Sequence, residues 1–226
     1  MKAPILRPVA EHGLLVDYGD RFDRAIWARL IDLDARLSSE TVPGFVEAVP
    51  AASSLLVRFD PMTTDHASVG AALLVLLAAS PGEEQRHTRA HVVDVCYDGT
   101  LAPDLEEVAT RCGMSTEDVV NAHLNSECHV QMYGFAPGYA YLTGLPAPLH
   151  LPRKTAAKRD VPKGSVLIAG PQCLVSTLTM PTGWWIIGRS PTAILTGDET
   201  QPFLFDVGDK VTFRRISRDD YDRCRT

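Results

Sequence analysis

The spacing of hydrophobic residues over the first third of the chain predicts alternating strands and helices. Short apolar runs at 13–18 and 54–61 are typical of strands. Between them, apolar residues recur every three or four positions, which indicates a helix with one buried face. This stripe consists of Phe22, Ile26, Leu30, Leu33 and Leu37. A second helix at 65–79 is apolar on most sides and should be well buried. The pattern predicts a small N-terminal α/β lobe over residues 1–85.

Polar residues and breakers mark the ends of these elements. Asp20 is a candidate cap for the first helix, with Asp23 in its first turn. Residues 41–50 contain two prolines and a glycine and therefore form a connection or an edge strand. The polar stretch 80–89, which includes a Pro-Gly turn, is the best candidate for a linker between domains.

Beyond this stretch the pattern changes to short strands separated by glycine and proline turns. A strand at 91–97 precedes two helices, at 103–111 and 115–125, and alternation at 127–133 indicates a further strand. Later strand candidates are 165–169, 174–178, 184–188, 193–195, 203–206 and 210–216. Many short strands predict a C-terminal barrel or sandwich over residues 90–226, and hence an α+β chain.

Composition and charge exclude several classes of protein. The chain has 226 residues, of which 45% are hydrophobic, enough for a sizeable core. Its 22 Lys and Arg against 28 Asp and Glu give a net charge of −6, which disfavours nucleic acid and anionic membranes as partners. The sequence shows no signal peptide or membrane-spanning run, and its five cysteines lack a C-x-x-C pair. These features favour a reduced, cytoplasmic protein.

Residues 105–119 resemble a helix-turn-helix with its turn at Gly113. A second helix that reads DNA should present cationic or amide side chains at its start. Here the first turn carries Glu117 and Asp118, whose carboxylates would face phosphates. We therefore expect two packed helices and no nucleic-acid partner.

Residues 134–142 read Gly-Phe-Ala-Pro-Gly-Tyr-Ala-Tyr-Leu and follow a predicted strand. Glycines allow the backbone to approach closely, and aromatic rings give flat apolar walls. This loop either lines a pocket for a small planar or cyclic ligand or turns sharply and fills the core of a barrel. Both interpretations fit the spacing.

Basic residues gather after this loop, although the protein as a whole is acidic. They are Arg153, Lys154, Lys158, Arg159 and Lys163. Such a loop suits a carboxylate or a phosphate, and a solvated surface loop is the alternative. Arg189 differs because it follows the apolar run 184–188, where a charge needs an internal carboxylate or an external anion.

His123 is the best candidate for a general base, because a neutral imidazole accepts a proton near pH 7. The alternative is a histidine that caps the C-terminus of its helix. Cys128 and His129 are neighbours on a strand and point to opposite faces, so we expect no metal site. The sequence contains no Ser-His-Asp signature, P-loop or G-x-G-x-x-G motif.

Several longer motifs occur in a fixed order over nearly the whole chain. They include residues 14–18, 54–61, 103–105, His123, 134–142, 152–153, 161–166, 168–172, 183–184, 187–191 and 208–211. Together they resemble the family of the B-type component of the bacterial ATP-dependent 5-oxoprolinase. This family is also described as allophanate hydrolase subunit 1 and includes the Kip-type inhibitor of a sporulation histidine kinase.

The resemblance implies a cyclophilin-like β-barrel after the N-terminal lobe. It implies a partner similar to a carboxyltransferase, namely the C-type component of 5-oxoprolinase or allophanate hydrolase subunit 2, and often a third, LamB/YcsF-like subunit. The implied reaction opens the lactam of 5-oxoproline to glutamate with hydrolysis of ATP. The nucleotide would be bound by this chain or by a partner protein.

A reaction of this kind needs cations for a phosphate and for the substrate carboxylate. We assign these roles to Arg153, Lys158 and Arg189, with His123 as the proton acceptor and Gln172 as a polar orienting residue. The expected substrate-binding loop residues are Phe135, Pro137, Gly138 and Tyr139. Catalysis by this chain further predicts that Arg153 and Arg189 share one cavity.

The chain departs from the family pattern near the expected pocket. Leu174 replaces a glycine, Ser176 replaces an aromatic hydroxyl, and Cys128 replaces a tyrosine. These changes indicate either a different small amide or urea-like substrate or a lost activity. Two other functions stay open: inhibition of a sensor histidine kinase through exposed loop aromatics, and a carboxyltransferase or allophanate-hydrolase role.

Overall fold

The protein, as a computed structural model, is described for residues 3–79 and 88–224. It divides into two compact units, residues 1–87 and 88–226. Most of the expected linker, residues 80–87, lies outside the described residues. Within the described ranges, five helices and thirteen strands form the mixed α+β fold that the hydrophobic pattern predicts. None of the helices in these ranges is long and apolar enough to cross a membrane.

The first unit packs two helices on an antiparallel sheet. Its elements are β1 (Ile5–Val9), β2 (Gly13–Asp17), α1 (Arg24–Ser39), β3 (Phe45–Pro50), β4 (Ser54–Phe59) and α2 (His66–Ala78). The sheet order is β1-β2-β4-β3, so β3 lies at an edge, as one interpretation of residues 41–50 predicts. Alternate residues of the two central strands, such as Leu14 and Val57, form one buried cluster with leucines of both helices.

The caps of the two helices decide where they begin. Asp23, not Asp20, caps α1, because its carboxylate accepts from the backbone N–H groups of Ala25 and Ile26. Asp65 caps α2 in the same way, as expected. The expectation that α2 is well buried is wrong on one face, where Leu74 and Val75 are exposed.

The second unit is built around a seven-stranded sheet. Its elements are β5 (Ala90–Val95), α3 (Leu105–Cys112), α4 (Thr116–Leu124), β6 (Cys128–Tyr133), β7 (Ala140–Thr143), β8 (Lys158–Val161), β9 (Ser165–Ala169), β10 (Gln172–Val175), β11 (Met180–Thr182), β12 (Trp185–Arg189), β13 (Lys210–Arg215) and α5 (Arg218–Arg223). The sheet order is β12-β9-β10-β7-β6-β13-β5. Two backbone hydrogen bonds between Cys96 and Arg189, of 2.8 and 2.9 Å, join its two outer strands. The sheet is therefore a nearly closed barrel.

Strand β9 is buried on both faces, which explains its unbroken apolar run. Val166 and Ile168 belong to the main core, to which α3 and α4 also contribute. Leu167 and Ala169 point the other way and join a second, smaller cluster. Val161 of the two-stranded β8–β11 ribbon belongs to this second cluster. An apolar floor thus forms on the side of β9 opposite the main core.

Closure of the barrel requires a glycine at position 188. A Cβ atom there would lie 2.7 Å from Val95 Cγ1 and 3.1 Å from the Cys96 carbonyl oxygen. We expect Gly188→Ala to lower the free energy of unfolding by about 1–3 kcal/mol, because the strands must separate to admit the methyl group. Urea unfolding measures this loss. Gly183→Ala is the control, since its nearest neighbour would be the Lys154 carbonyl oxygen at 3.8 Å. Equal losses in both variants would contradict this account of closure.

Candidate functional site

A depression of about 120 Å³ lies over the second cluster. Its lining residues are Phe135, Tyr139, Tyr141, Arg153, Leu167, Leu174, Pro181, Thr182, Gly183 and Trp184. We call it the aromatic depression. The floor comes from β9 and β10, and the walls come from the loops before β7 and β12 and from Arg153. Three of the predicted site residues, Phe135, Tyr139 and Arg153, therefore come together.

The walls of the aromatic depression combine flat rings with one cation. The guanidinium carbon of Arg153 lies 5.7 Å from the centre of the Trp184 ring, within cation–π range. The ring centres of Tyr141 and Trp184 are 5.9 Å apart. Burial raises the pKa of Tyr139, so its hydroxyl stays protonated at neutral pH. Among the described residues Arg153 forms no ion pair, which leaves its positive charge available to an anion.

Phe135 combines an unusual backbone conformation with an exposed side chain. Its φ of 73° lies in the left-handed region, where a bulky side chain costs about 1–3 kcal/mol. Its ring is 72% exposed and meets Tyr139 edge to face at 5.4 Å. The turn is held by hydrogen bonds from Gly134 N to Tyr139 O and from Tyr139 N to Ala136 O. The loop therefore presents the Phe135 ring to solvent instead of using it to fill the core.

The other predicted loop residues lie behind this wall. The Thr177 hydroxyl donates to the Pro137 carbonyl at 2.7 Å. Gly138 has a φ of 71°, and a Cβ there would lie 2.7 Å from Leu195 Cδ2. Glycine is therefore required at this position by conformation and by space. Pro137 and Gly138 support the aromatic loop and do not line the depression.

Lys158 and Gln172 occupy different surroundings. Lys158 is exposed and pairs in register with Thr182, so it lies near the rim of the aromatic depression. The Gln172 amide donates to Gln131 Oε1 at 3.2 Å, and Gln172 does not line the depression. The structure thus places the predicted cation near the site and the predicted orienting amide outside it.

Arg189 lines a different cavity, of about 400 Å³. This second cavity also includes Lys163, Ser176 and Thr192, and it shares no lining residue with the aromatic depression. The expectation that Arg153 and Arg189 share one cavity is therefore wrong. The two arginines lie towards opposite ends of β12, because Arg153 packs on Trp184, which precedes the strand, whereas Arg189 ends it.

The structure places His123 in the core, away from both cavities. Its side chain is fully buried, with Nδ1 2.7 Å from the Tyr97 hydroxyl and Nε2 3.4 Å from Cys173 Sγ. Its ring centre lies 4.0 Å from that of Phe213. Burial lowers the pKa of His123 to about 3, so the ring is neutral at pH 7. The i, i+4 spacing from buried Val119 is the signal that predicts this inward position.

With this geometry in place, known proteins provide an independent comparison. Residues 4–205 match the family described as carboxyltransferase domain, subdomain C and D. The chain belongs to this family. The family resemblance inferred from the sequence motifs is thereby confirmed.

Relatives in this family extend over most of the chain. The B-type component of 5-oxoprolinase from Bacillus subtilis (strain 168) is 33% identical over 226 residues, which cover 96% of this chain and 94% of that protein. The Escherichia coli O157:H7 protein of the same name is 41% identical over 121 residues, or 54% of this chain and 56% of that protein.

Solved structures share the fold. The crystal structure of TTHA0988 has a TM-score of 0.78 and 31% identity over 94% of this chain, which spans only 40% of that longer chain. The K. lactis urea amidolyase has a TM-score of 0.74 over 96% of this chain and 15% of its own. At 18% identity it supports the fold alone.

The three positions at which we expect the sequence to depart from the family pattern lie in different places. Leu174 lines the aromatic depression, and Ser176 lines the second cavity. Cys128 is buried in the main core. The first two positions therefore lie in cavity walls, whereas the third lies in the core. Within residues 3–79 and 88–224, no group of three or more His, Cys, Asp or Glu side chains is placed to hold a metal ion.

Proposed function

We propose that the chain is a subunit of an ATP-dependent amidohydrolase that opens 5-oxoproline to glutamate, or acts on a related small amide or urea-type compound. It would work with a carboxyltransferase-like partner and, in some systems, a LamB/YcsF-like third subunit. The observation that carries the proposal is the guanidinium of Arg153, which lies beside the aromatic walls of the depression without an ion-pair partner among the described residues. The B. subtilis relative, which aligns over 94% of its length, supports the reaction class.

The aromatic depression suits a small ring that carries one carboxylate. The flat apolar faces of Trp184 and Tyr141 complement a five-membered lactam ring. The fork of Arg153 matches a carboxylate, with which it can form two parallel hydrogen bonds. Lys158 near the rim adds positive charge in an otherwise acidic protein. This chain would thus bind and orient the substrate.

The chemistry requires activation of a poor electrophile. ATP would supply the phosphoryl group that activates the lactam oxygen. Water would then add to the activated carbon and the C–N bond would break, which gives an acyl phosphate and an amino group that takes up a proton. A second water would hydrolyse the acyl phosphate, releasing phosphate and leaving the side-chain carboxylate of glutamate. Because His123 lies in the core and Arg189 lines another cavity, we assign activation of the water to a partner protein. The sequence has no P-loop, so we assign nucleotide binding to the assembled complex.

The test is ATP-dependent release of glutamate from 5-oxoproline by the full chain combined with its partners. We expect Arg153→Gln to raise KM by about tenfold to a hundredfold, because one charge-assisted carboxylate contact is lost. Arg159→Gln is the matched control, since Arg159 is exposed in the same basic stretch and does not line the depression. Its KM should stay within about twofold of wild type.

Two outcomes would oppose the proposal. Unchanged kinetics in Arg153→Gln would remove the aromatic depression as the substrate site. Absence of ATP-dependent glutamate release by the wild-type complex, together with turnover of allophanate or urea, would favour the carboxyltransferase or allophanate-hydrolase alternative.

The exposed ring of Phe135 supports a second candidate, a protein that inhibits a sensor histidine kinase through this loop. An inhibitor presents its aromatics to a partner surface instead of enclosing a ligand. In that case Phe135→Ser would relieve inhibition of kinase autophosphorylation, measured with purified kinase and full chain. Unaltered autophosphorylation in the presence of the wild-type chain would exclude this candidate.

A further inference from the structure

The second cavity combines cationic and hydroxyl side chains in its lining. It is bordered by the loop before β9, the end of β10 and the segment after β12. The side chains that matter are Lys163, Ser176, Thr179, Arg189, Ser190 and Thr192. Its volume, about 400 Å³, is within the range of small-molecule sites.

Two cations face this cavity without compensating acids. Nε of Arg189 is buried and has no hydrogen-bond partner among the described residues. Arg189 lines the cavity and its guanidinium forms no ion pair among the described residues, so its positive charge is not neutralised by the chain itself. Lys163 likewise forms no ion pair within the described chain, and the lining contains no Asp or Glu. In a protein of net charge −6, such a lining is selective for anions.

The backbone holds Arg189 rigidly in this position. The Arg189 main chain exchanges two hydrogen bonds with Cys96, and Ser190 N donates to Gly164 O at 2.7 Å. A Cβ at Gly164 would lie 2.4 Å from the Ser190 carbonyl oxygen, so the two loops touch closely. The guanidinium is thus attached to a fixed part of the barrel, which lowers the entropic cost of binding a ligand.

Hydroxyl groups complete the donor set. Ser190 Oγ accepts from Thr192 N at 3.1 Å, which leaves its own proton free to donate. Thr179 Oγ1 accepts from Lys163 N at 3.3 Å and is equally able to donate. Charged and neutral donors around one space are the arrangement that oxyanions require.

We propose that the second cavity is a binding site for an oxyanion, namely the phosphate or carboxylate group of a small molecule. The site is independent of the aromatic depression, with which it shares no lining residue. The proposal does not depend on the reaction proposed above, because it concerns an anion site that this chain forms by itself.

Titration of the full chain with inorganic phosphate and, separately, with acetate tests the site. Binding is measured by calorimetry at constant ionic strength set with chloride. We expect one of the two anions to bind, and Lys163→Gln and Arg189→Gln each to weaken it by about tenfold or more. Arg159→Gln is the control and should leave the affinity unchanged, because Arg159 is exposed and lines neither the second cavity nor the aromatic depression. The anion that binds identifies the ligand group as phosphate or carboxylate.

Three results would overturn the proposal: no binding of either anion by the wild-type chain at millimolar concentration, equal affinity in wild type and Lys163→Gln, or equal weakening by Arg159→Gln. If Arg189→Gln fails to fold, Thr192→Val and Lys163→Gln provide the comparison, since neither changes a residue of the barrel closure. If the wild-type complex releases no glutamate but the chain still binds the anion, the proposed reaction is opposed and the proposed anion site is not.

Discussion

The stability of the second unit is expected to fall by up to about 5 kcal/mol as the pH is lowered from 6.5 to 3, because of His123 alone. Burial lowers the pKa of His123 from 6.5 to about 3 in the folded protein. The unfolded chain therefore takes up a proton near pH 6.5, whereas the folded protein does not. Stability from this group is fully present above pH 6.5 and is lost on acidification, at about 1.4 kcal/mol per pH unit.

Urea unfolding at a series of pH values measures this slope. Trp184 and Trp185 report on the second unit by fluorescence. In His123→Gln the free energy of unfolding should change less steeply with pH between pH 6.5 and 3 than in wild type. The difference should be about 1.4 kcal/mol per pH unit, which corresponds to the uptake of one proton on unfolding. Carboxylates elsewhere contribute equally to both proteins, so the difference isolates position 123.

Tyr97→Phe separates burial from hydrogen bonding at His123. The Tyr97 hydroxyl lies 2.7 Å from His123 Nδ1, and its removal should lower stability by about 1–3 kcal/mol. Because burial is the cause of the lowered pKa, the pH slope should remain in this variant. Parallel pH curves for wild type and His123→Gln would contradict the buried, neutral state of the ring.

The pattern of hydrophobic residues could predict the elements that are buried on one face or on both. The stripe through Leu30, Leu33 and Leu37 gives α1, and the run at 165–169 gives β9. It could not predict β8, which is largely exposed and carries Lys158, because such a strand has the composition of a loop. Its strand character comes from pairing with β11, which is a tertiary effect.

The candidate site could be predicted only in part, for a related reason. Trp184 and Trp185 are neighbours, and alternation on a strand implies that they face opposite sides. Trp185 joins the main core, and Trp184 forms a wall of the aromatic depression beside Arg153. Sequence motifs therefore identify the aromatic loop and its arginine, whereas the position of Arg189 depends on how the barrel closes.

The salt bridge between Asp104 and Lys154 is the other interaction whose loss should be large. Asp104 Oδ2 accepts from Lys154 Nζ at 2.5 Å and from Ile186 N at 2.7 Å. The two side chains are only 11% and 14% exposed, and Lys154 Nζ lies 5.0 Å from the centre of the Trp185 ring. This pair ties the start of α3 to β12 and fixes the segment that carries Arg153.

We expect Asp104→Ala to lower the free energy of unfolding by about 3–5 kcal/mol, because it leaves a buried ammonium group without a counter-charge and a strand N–H without an acceptor. Urea unfolding followed by tryptophan fluorescence measures this loss. Asp94→Ala is the matched control, since its partner Arg214 is mostly exposed and the loss should stay below about 1 kcal/mol.

A double variant distinguishes the buried charge from the hydrogen bond to Ile186. The double variant Asp104→Leu/Lys154→Met removes both charges. Its loss in free energy of unfolding relative to wild type should therefore be only the cost of one unsatisfied N–H group, about 1–3 kcal/mol. Asp104→Asn keeps an acceptor for Ile186 but leaves Lys154 unpaired, so it should remain clearly destabilised. If the double variant is as unstable as Asp104→Ala, the uncompensated charge is not the cause. The hydrogen bond from β12 would then dominate the attachment of α3.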